Sequence, residues 1–217
     1  MRAAERLIAE RGTENVSLRD IVKVAGQRNE SALQYHFGNY HGLVAAIHAS
    51  RAADMQTRRA ALLQELKAHT THPSLRDICR LMVEPALLLA RTKPDFRRYV
   101  KAFGREITLT EKSAIAFVTG TEVPGPSVLE TRTLLLAALD HLDGAARERR
   151  LDGALRFIAA SMYHEARQRN AFRGPHGELF MSSLIDALVG LLSAPESDET
   201  KAIARSMQRT RRKRSAQ

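Results

Sequence analysis

The chain has 217 residues with a formal net charge of +10; 44% of the residues are hydrophobic and 5% are aromatic. Ala, Leu, Arg and Glu dominate and runs of β-branched residues are missing, so the composition favours helices over a sheet. No apolar run approaches the ~18 residues that a membrane span requires, no charged-then-apolar leader opens the chain, and the lone Cys79 cannot form an internal disulfide. We therefore expect a cytoplasmic protein that does not enter a membrane.

The positive charge is concentrated at the C-terminus. Seven basic residues and no acidic residue lie from Lys201 to the end, so the other 200 residues carry only +3 of the net +10. We expect 196–217 to form a basic, disordered tail, which is either a solvated terminus or a non-specific contact to a phosphate backbone. Because the rest of the chain is nearly neutral, specific recognition of nucleic acid must come from a local patch.

Two short helices are predicted at the start of the chain. Residues 1–11 follow a helical pattern that Gly12 ends. The second helix begins at Ser17, and Asp20 follows three positions later, which is close to a capping box in which both side chains bind free backbone amides. Its apolar residues recur on one face until Gly26 ends it.

A third short helix follows the turn at Gly26, with Asn29 placed to cap it and Gly38 to end it. Leu33 and Phe37, four positions apart, are its buried anchor. Its other side chains carry amide, hydroxyl and guanidinium groups, which can pair with base edges in the major groove of DNA. These polar positions are Gln27, Arg28, Asn29, Ser31, Gln34 and Tyr35. Two short helices joined by a tight glycine turn make a helix-turn-helix, so this stretch is predicted to bind DNA.

Helical patterns continue with few interruptions through the rest of the chain. The predicted helices cover residues 40–69, 74–92, 94–109, 110–118, 128–142, 145–172 and 177–193, with a loop at 119–127. Asn39 caps the first of them, and the letters SLRDI at 74–78 repeat the earlier cap at the start of the second. Pro85 lies inside that second helix, where it removes a backbone hydrogen bond and should kink the helix. The predicted fold class is all-α.

The N-terminal pattern resembles a known family. The segments AERLIAERG, VSLRDIVKVAG and LQYHFGNYHGLVAAI are similar to the N-terminal domain of the TetR family of bacterial transcriptional regulators, over residues 1 to about 50. LDHLDGAARERRLDGALRFIAASMYHEA and ELFMSSLIDALVGLL are similar to the last two long helices of that family. The resemblance implies a three-helix DNA-binding domain at 1–50 and a larger helical bundle at 51–195, which binds a ligand and dimerises through its last two long helices.

The resemblance also implies which side chains contact DNA. They lie in the second helix, the third helix and the start of the fourth, where Tyr40 replaces a lysine that often contacts phosphate in the family. The implied DNA-binding residues are Ser17, Arg19, Gln27, Arg28, Asn29, Ser31, Ala32, Gln34, Tyr35, His36, Tyr40 and His41. The implied partner is double-stranded operator DNA, which a homodimer reads in the major groove at two half-sites.

Large side chains of the second domain are candidates for an effector pocket, because a helix kinked at Pro85 should leave a gap that a small molecule can fill. A tyrosine and a histidine would add polar groups to it. The candidates are Met82, Leu88, Phe96, Phe103, Phe117, Phe157, Met162, Tyr163 and His164. For each of them, ordinary packing in the core is the competing interpretation.

Apolar stripes on the last two long helices are predicted to form the dimer interface. Their leucines and isoleucine recur at helical spacing, and the small residues Gly153 and Ala160 would let two helices approach closely. The predicted interface residues are Leu151, Leu155, Ile158, Leu184, Leu188 and Leu191. The two helices of each protomer would then form a four-helix interface.

Catalysis is the main competing interpretation, and the motifs do not support it. His164 and Glu165 would need a second histidine to form a metalloprotease motif, but Gln168 stands at that position. Glu-x-x-His pairs, Gly-x-Ser-x-Gly and phosphate-binding glycine loops are missing, so no metal or cofactor is predicted. A constitutive DNA-binding protein without an effector is the second alternative, which the large C-terminal bundle disfavours. The sequence therefore predicts a DNA-binding transcriptional regulator, a repressor released by a small molecule, and not an enzyme.

Overall fold

The computed structural model describes residues 1–27, 30–109, 114 and 124–214. Within these residues every regular element is a helix, so the all-α prediction is confirmed. The α-helices are α1 (Arg2–Arg11), α2 (Leu18–Val24), α3 (Glu30–Phe37), α4 (Tyr40–His69), α5 (Leu75–Thr92), α6 (Pro94–Leu109), α7 (Pro126–Ala138), α8 (Gly144–Ala166), α9 (Gly174–Ser193) and α10 (Asp198–Arg214). A turn of 3-10 helix, Thr13–Asn15, joins α1 to α2. The helix predicted at 110–118 lies, apart from residue 114, outside the described residues.

Both predicted capping boxes are formed. At the start of α2 the Ser17 hydroxyl accepts a hydrogen bond from the Asp20 amide (3.2 Å), and the Asp20 carboxylate accepts one from the Ser17 amide (3.0 Å). Ser74 and Asp77 repeat the arrangement at the start of α5, with distances of 3.2 and 2.9 Å. The hydrogen bonds from Ser17 also lower the pKa of the Asp20 carboxyl. Each box satisfies amides that a helix start leaves without partners, so both helices begin where the sequence predicts.

The corner between α3 and α4 depends on two glycines. Gly38 has a φ of +72°, a conformation that side chains disfavour, and it ends α3 as predicted. Asn39 then caps α4, because its side chain accepts a hydrogen bond from the Gly42 amide at 2.9 Å. A Cβ atom at Gly42 would lie 1.8 Å from the Phe37 carbonyl oxygen, so only glycine allows this close approach. The corner therefore holds α3 at a defined angle to the long helix.

Two clusters of buried apolar side chains hold the helices together, and α6 belongs to both. The N-terminal cluster consists of Ala4, Leu7, Ile8, Val16, Ile21, Leu43, Ile47, Ala102 and Phe103. The larger C-terminal cluster is built from α5 to α9. Within α6, Phe96 and Val100 pack in the C-terminal cluster, whereas Phe103 packs in the N-terminal one, and Tyr99 contacts both. Apolar burial therefore couples the first three helices to the rest of the fold.

Helix α5 runs through Pro85 without interruption. A proline has no amide hydrogen, so the carbonyl of Leu81, four residues earlier, loses its helical partner. The Arg59 side chain on α4 supplies the missing donor, because its Nε donates to the Leu81 oxygen at 3.1 Å in a buried position. The proline thus leads to a contact between α4 and α5.

Most of the residues predicted for the dimer interface are buried within the protomer. Leu151, Ile158, Leu184 and Leu188 are at most 9% exposed within a single protomer, and Leu155 and Leu191 pack against the same cluster. These side chains are occupied in the core of their own chain, and they therefore have little surface left for a partner. Helical spacing identifies an apolar stripe correctly, but a helix that packs on both sides has two such stripes.

The C-terminal segment differs from the disordered tail expected at 196–217, because α10 spans Asp198–Arg214. Ser197 accepts a hydrogen bond from the Thr200 amide at 3.2 Å, and Asp198 and Glu199 lie in the first turn, where the helix dipole favours acids. No described helix is by itself long and apolar enough to cross a membrane, although the bent pair Gly174–Ser193 and Asp198–Arg209 passes that test by length and composition.

Candidate DNA-binding surface and ligand cavity

Helices α2 and α3 form a surface that is polar outside and apolar inside. Leu33 and Phe37 of α3 are partly buried and pack against the N-terminal cluster. The predicted DNA-binding residues with exposed side chains are Ser17, Arg19, Gln27, Ser31, Ala32, Gln34, Tyr35, His36 and His41. Arg28 and Asn29 lie outside the described residues. The side chains predicted to touch DNA and those predicted to anchor the helix therefore fall on different sides of α3.

Tyr35 is the most exposed large side chain in this region. It is 86% exposed and packs only its edge against His36, with ring centroids 5.4 Å apart. An aromatic ring left in water contributes little to the core. Its hydroxyl can donate to a base edge or a phosphate, which suits a DNA-binding surface.

The predicted DNA contact of Tyr40 needs a correction, because its hydroxyl forms a hydrogen bond within the fold. Its hydroxyl donates to the Thr13 carbonyl oxygen at 2.9 Å, and the ring is half-buried. Burial, with the negative charge of Glu106 nearby, raises the pKa of the Tyr40 hydroxyl. A phenol has one O–H to donate, and here that hydrogen serves the fold. Tyr40 therefore ties the segment after α1 to the start of α4, while its neighbour His41 stays exposed.

A buried ion pair, which the sequence analysis missed, fastens α1 to α4. Glu5 is fully buried, and both of its oxygens accept hydrogen bonds from Arg51, from Nε and Nη2, at 2.8 Å each. Arg51 also lies 3.4 Å from Asp54, which accepts a hydrogen bond from Lys93 at 2.9 Å. The signal in the sequence is an acid on the apolar face of α1, beside the buried Leu7 and Ile8. Charged residues are buried almost only when paired.

Comparison with known proteins identifies the N-terminal domain. Residues 1–47 match the family model of bacterial regulatory proteins of the tetR family. The N-terminal domain of the chain is that of the TetR family. This match supports a DNA-binding transcriptional regulator, whose helix-turn-helix is formed by α2 and α3. A sequence search of curated proteins finds no significant match.

A cavity of about 310 Å³ lies in the second part of the chain, between α4, α5, α6, α7 and α8. Most of its lining is apolar. Four of the predicted pocket residues line it, namely Met82, Phe96, Phe103 and Met162. Phe117 lies outside the described residues. The volume suits a small organic molecule, since small-molecule pockets are mostly apolar with a few polar groups.

The other four predicted pocket residues do not line the cavity. Leu88, Phe157 and His164 each follow a lining residue of their own helix by two positions, which turns the side chain by roughly 200° away from it. Phe157 is accordingly 37% exposed. Tyr163 accepts a hydrogen bond from Arg167 at 2.8 Å on the outside of α8. Aromatic character alone did not identify the inner side of the helix.

Helix α4 presents one face to the cavity. His48, Ala52, Met55 and Arg59 recur along it at i, i+4, i+7 and i+11, and all four line the cavity. The earlier residues of the same helix, Leu43 among them, pack in the N-terminal cluster. The helix therefore contacts the DNA-binding domain with its first part and the cavity with its second.

The polar groups of the cavity are few. Arg59 and Thr131 are buried, His48 and Tyr99 are partly buried, and Arg132 is exposed. His48 Nδ1 lies 3.0 Å from the Tyr99 hydroxyl, and burial lowers the pKa of His48 to about 4 and raises that of Tyr99. His48 is therefore neutral at neutral pH. Burial also lowers the pKa of the Arg59 guanidinium to about 10, which leaves it positively charged. The cavity thus contains a permanent cation and a neutral hydrogen-bonding pair.

Two further observations concern chemistry other than binding. Within the described part of the chain, no group of three His, Cys, Asp or Glu side chains is arranged to hold a metal ion. Burial raises the pKa of the Cys79 thiol to about 11, so the thiol stays protonated and the nucleophilic thiolate is scarce. Cys79 packs in the C-terminal cluster as a small apolar residue.

Proposed function

We propose that this protein is a homodimeric repressor of the TetR family, and that a small molecule bound in the cavity releases it from operator DNA. One observation carries the proposal: α4 reaches from the DNA-binding domain to the cavity. Leu43 and Ile47 pack in the N-terminal cluster, and Met55 and Arg59 line the cavity further along the same helix. A ligand that displaces α4 also displaces the helix-turn-helix that packs against its start.

Release follows from the spacing of two recognition helices. In a dimer they must meet two half-sites about one DNA turn apart, ~34–36 Å. A tilt of α4 in each protomer changes that separation, so both half-sites can no longer be engaged together. The effector shifts the equilibrium only by the difference between its affinities for the two states.

Helix α6 supplies a second connection between cavity and DNA-binding domain. Phe103 lines the cavity and is at the same time a buried member of the N-terminal cluster. His48 stacks edge-on against Phe103, with ring centroids 4.6 Å apart. A ligand in contact with these rings would act directly on the core that supports α2 and α3.

We place the dimer interface on the outer face of α8 and α9, which carries small and exposed apolar residues. They are Gly153, Phe157 and Ala160 on α8, and Leu179, Ala187 and Gly190 on α9. Phe157 and Leu179 are 37% and 67% exposed. A Cβ atom at Gly153 or Gly190 would meet nothing within 4 Å in the protomer, which leaves room for a partner helix to approach. The last two long helices thus remain the proposed interface, through the face opposite to the core.

DNA recognition is tested by selecting fragments from random DNA with the full-length protein and measuring affinity by fluorescence anisotropy, with and without candidate metabolites. Gln34→Ala should weaken binding to the selected fragment by about 1–3 kcal/mol, because a glutamine amide can pair bidentately with adenine. Affinity for random DNA should not change. Gln64→Ala, an exposed glutamine in the second half of α4, is the matched control. Equal losses on selected and random DNA would show that Gln34 contacts only the backbone.

The dimer is tested by analytical ultracentrifugation of Phe157→Arg. A charge in the centre of the proposed interface should raise the dimer dissociation constant at least tenfold, about 1.4 kcal/mol, and reduce operator binding with it. Since Phe157 lies on the surface of the protomer, the circular dichroism melt should change little. Met207→Arg, which replaces an exposed apolar residue on α10, is the control. A dimer of unchanged affinity would move the interface to another face.

A further inference from the structure

We infer that the cavity binds an amphipathic organic anion, whose acidic group pairs with Arg59 while its apolar body fills the space between α5, α6 and α8. The inference rests on the proposed effector function and narrows the ligand to a chemical class. It starts from Arg59, a cation in a cavity that is otherwise mostly apolar.

Arg59 is buried without a counter-ion. It is 9% exposed, and its contact with the described part of the chain is the single hydrogen bond from Nε to the Leu81 carbonyl. A carbonyl oxygen satisfies one N–H but does not neutralise a charge. Burying an unpaired charge is strongly unfavourable, which is why buried charges in proteins are normally paired or bind ions. The side chain therefore lacks the partner that its burial demands.

The remaining donors of Arg59 have the geometry that acidic groups require. Its Nε is engaged by Leu81, so the two terminal amino groups are free of partners among the described residues. A guanidinium presents such groups as a planar fork, which matches the two oxygens of a carboxylate. A bound carboxylate would supply both the missing charge and the missing acceptors.

The other groups of the cavity favour an anion over a cation. None of the described residues that line it is acidic. The second lining arginine, Arg132, is exposed and pairs with Glu148 at 3.0 Å, so its charge is already balanced. His48 is neutral and pairs with Tyr99. Arg59 is therefore the unbalanced charge of the cavity wall, and it is positive.

The apolar part of the lining indicates the size and the apolar character of the rest of the ligand. The cavity volume of about 310 Å³ is at the lower end of the range of small-molecule pockets, which suits a body of about ten to fifteen non-hydrogen atoms. Met55, Met82, Phe96 and Met162 lie along it. Flexible methionines adapt to either aliphatic or aromatic bodies. A medium-chain fatty acid and an aromatic carboxylic acid both fit this description.

The test is isothermal titration calorimetry of the full-length protein with decanoate and 2-naphthoate, each compared with its neutral alcohol, decan-1-ol or 2-naphthol. In the wild-type protein at least one acid should bind about tenfold or more tightly than its alcohol, as hydrogen bonds to a charged group imply. Arg59→Met should bring that acid and its alcohol to within about threefold of each other. Arg58→Met removes the same charge from the next, exposed position of α4 and should leave the preference intact.

Several outcomes overturn the inference. They are binding of neither acid to the wild-type protein, equal affinity for acid and alcohol, and an unchanged preference in Arg59→Met. Arg59→Gln, which is uncharged but keeps an amide donor for the Leu81 carbonyl, replaces Arg59→Met if the latter does not fold. The wild-type comparison needs no variant and is decisive by itself.

The same measurements separate this inference from the proposed function. Acid binding that depends on Arg59 but leaves DNA affinity unchanged would support the anion site and contradict release by that ligand. A neutral compound that binds equally well to Arg59→Met and releases DNA would support effector control and overturn the anion site.

Discussion

Arg51 and Arg59 lie eight positions apart on α4. Arg51 is largely buried and Arg59 is buried, but their hydrogen-bonding groups are satisfied in different ways. Arg51 meets a carboxylate of its own chain, Glu5, through two hydrogen bonds of 2.8 Å. Arg59 meets only a carbonyl, that of Leu81. The charge of Arg51 is balanced within the fold, whereas the charge of Arg59 needs an anion that the described residues do not supply.

The contrast shows how buried charge can be interpreted. A paired charge indicates an architectural joint, here between α1 and α4, and gives no information about ligands. An unpaired charge beside a cavity indicates a binding site, because the folded chain alone leaves it unfavourable. In the first half of α4, Arg51 thus joins the helix to α1. In the second half, Arg59 is the proposed anion-binding group. Substitutions along α4 test whether the two arginines differ in this way.

Removal of Arg51, the arginine that has a carboxylate partner, should have the largest effect on the free energy of unfolding. Arg51→Met leaves Glu5 buried without a partner, and removal of one member of a buried ion pair costs about 3–5 kcal/mol. We expect that loss in the free energy of unfolding, measured by urea denaturation. Arg58→Met, at an exposed position of the same helix, should stay within about 0.5 kcal/mol of the wild type. A small loss in Arg51→Met would mean that Glu5 finds water or another partner.

His48, which lies between the two clusters on α4, should make stability depend on pH. Its pKa is lowered to about 4 from the usual 6.5, so the unfolded chain takes up a proton here at a higher pH than the folded chain does. The free energy of unfolding should therefore fall as the pH drops through this interval, by about 2 kcal/mol between pH 7 and pH 5. Urea denaturation at both pH values should show a smaller fall in His48→Gln. Equal falls in the two proteins would contradict a buried neutral histidine.

Removal of Arg59, the arginine without a carboxylate partner, should have the smallest effect on the free energy of unfolding of the ligand-free protein. Arg59→Met removes an unfavourable buried charge but leaves the Leu81 carbonyl without its donor, and the two changes oppose each other. We expect a net change within about 1 kcal/mol in the free energy of unfolding, compared with the loss of about 3–5 kcal/mol expected for Arg51→Met. A loss of the same size as in Arg51→Met would show that Arg59 is also architectural.

The local parts of the fold were predictable from the sequence. The boxes at Ser17 and Ser74, the turn at Gly38 and the cap at Asn39 all follow from side chains within three or four residues of the backbone groups that they satisfy. The division of α3 into polar and apolar sides was equally local. Such features need no knowledge of what packs against the helix.

The faces of the later helices were not predictable in the same way. Leu188 was expected at a dimer interface and is fully buried in the protomer, whereas Phe157 was expected in the pocket and is exposed. Both helices carry apolar side chains on two sides, and only tertiary packing determines which side is the core. Arg59 shows the same limit, because its buried position depends on Pro85 of another helix, which leaves the Leu81 carbonyl open to it.

The position of α6 has a consequence for where the chain can be cut. The surface that covers Ile8, Leu43 and Ile47 includes Phe103, which comes more than fifty residues after the end of the helix-turn-helix pattern. A fragment ending near residue 50 would therefore lack part of its own core and the Asp95 carboxylate that pairs with Arg2 at 2.8 Å. A boundary near residue 50 therefore does not separate two folding units, because the helices of the N-terminal domain are stabilised by α6, which lies beyond it.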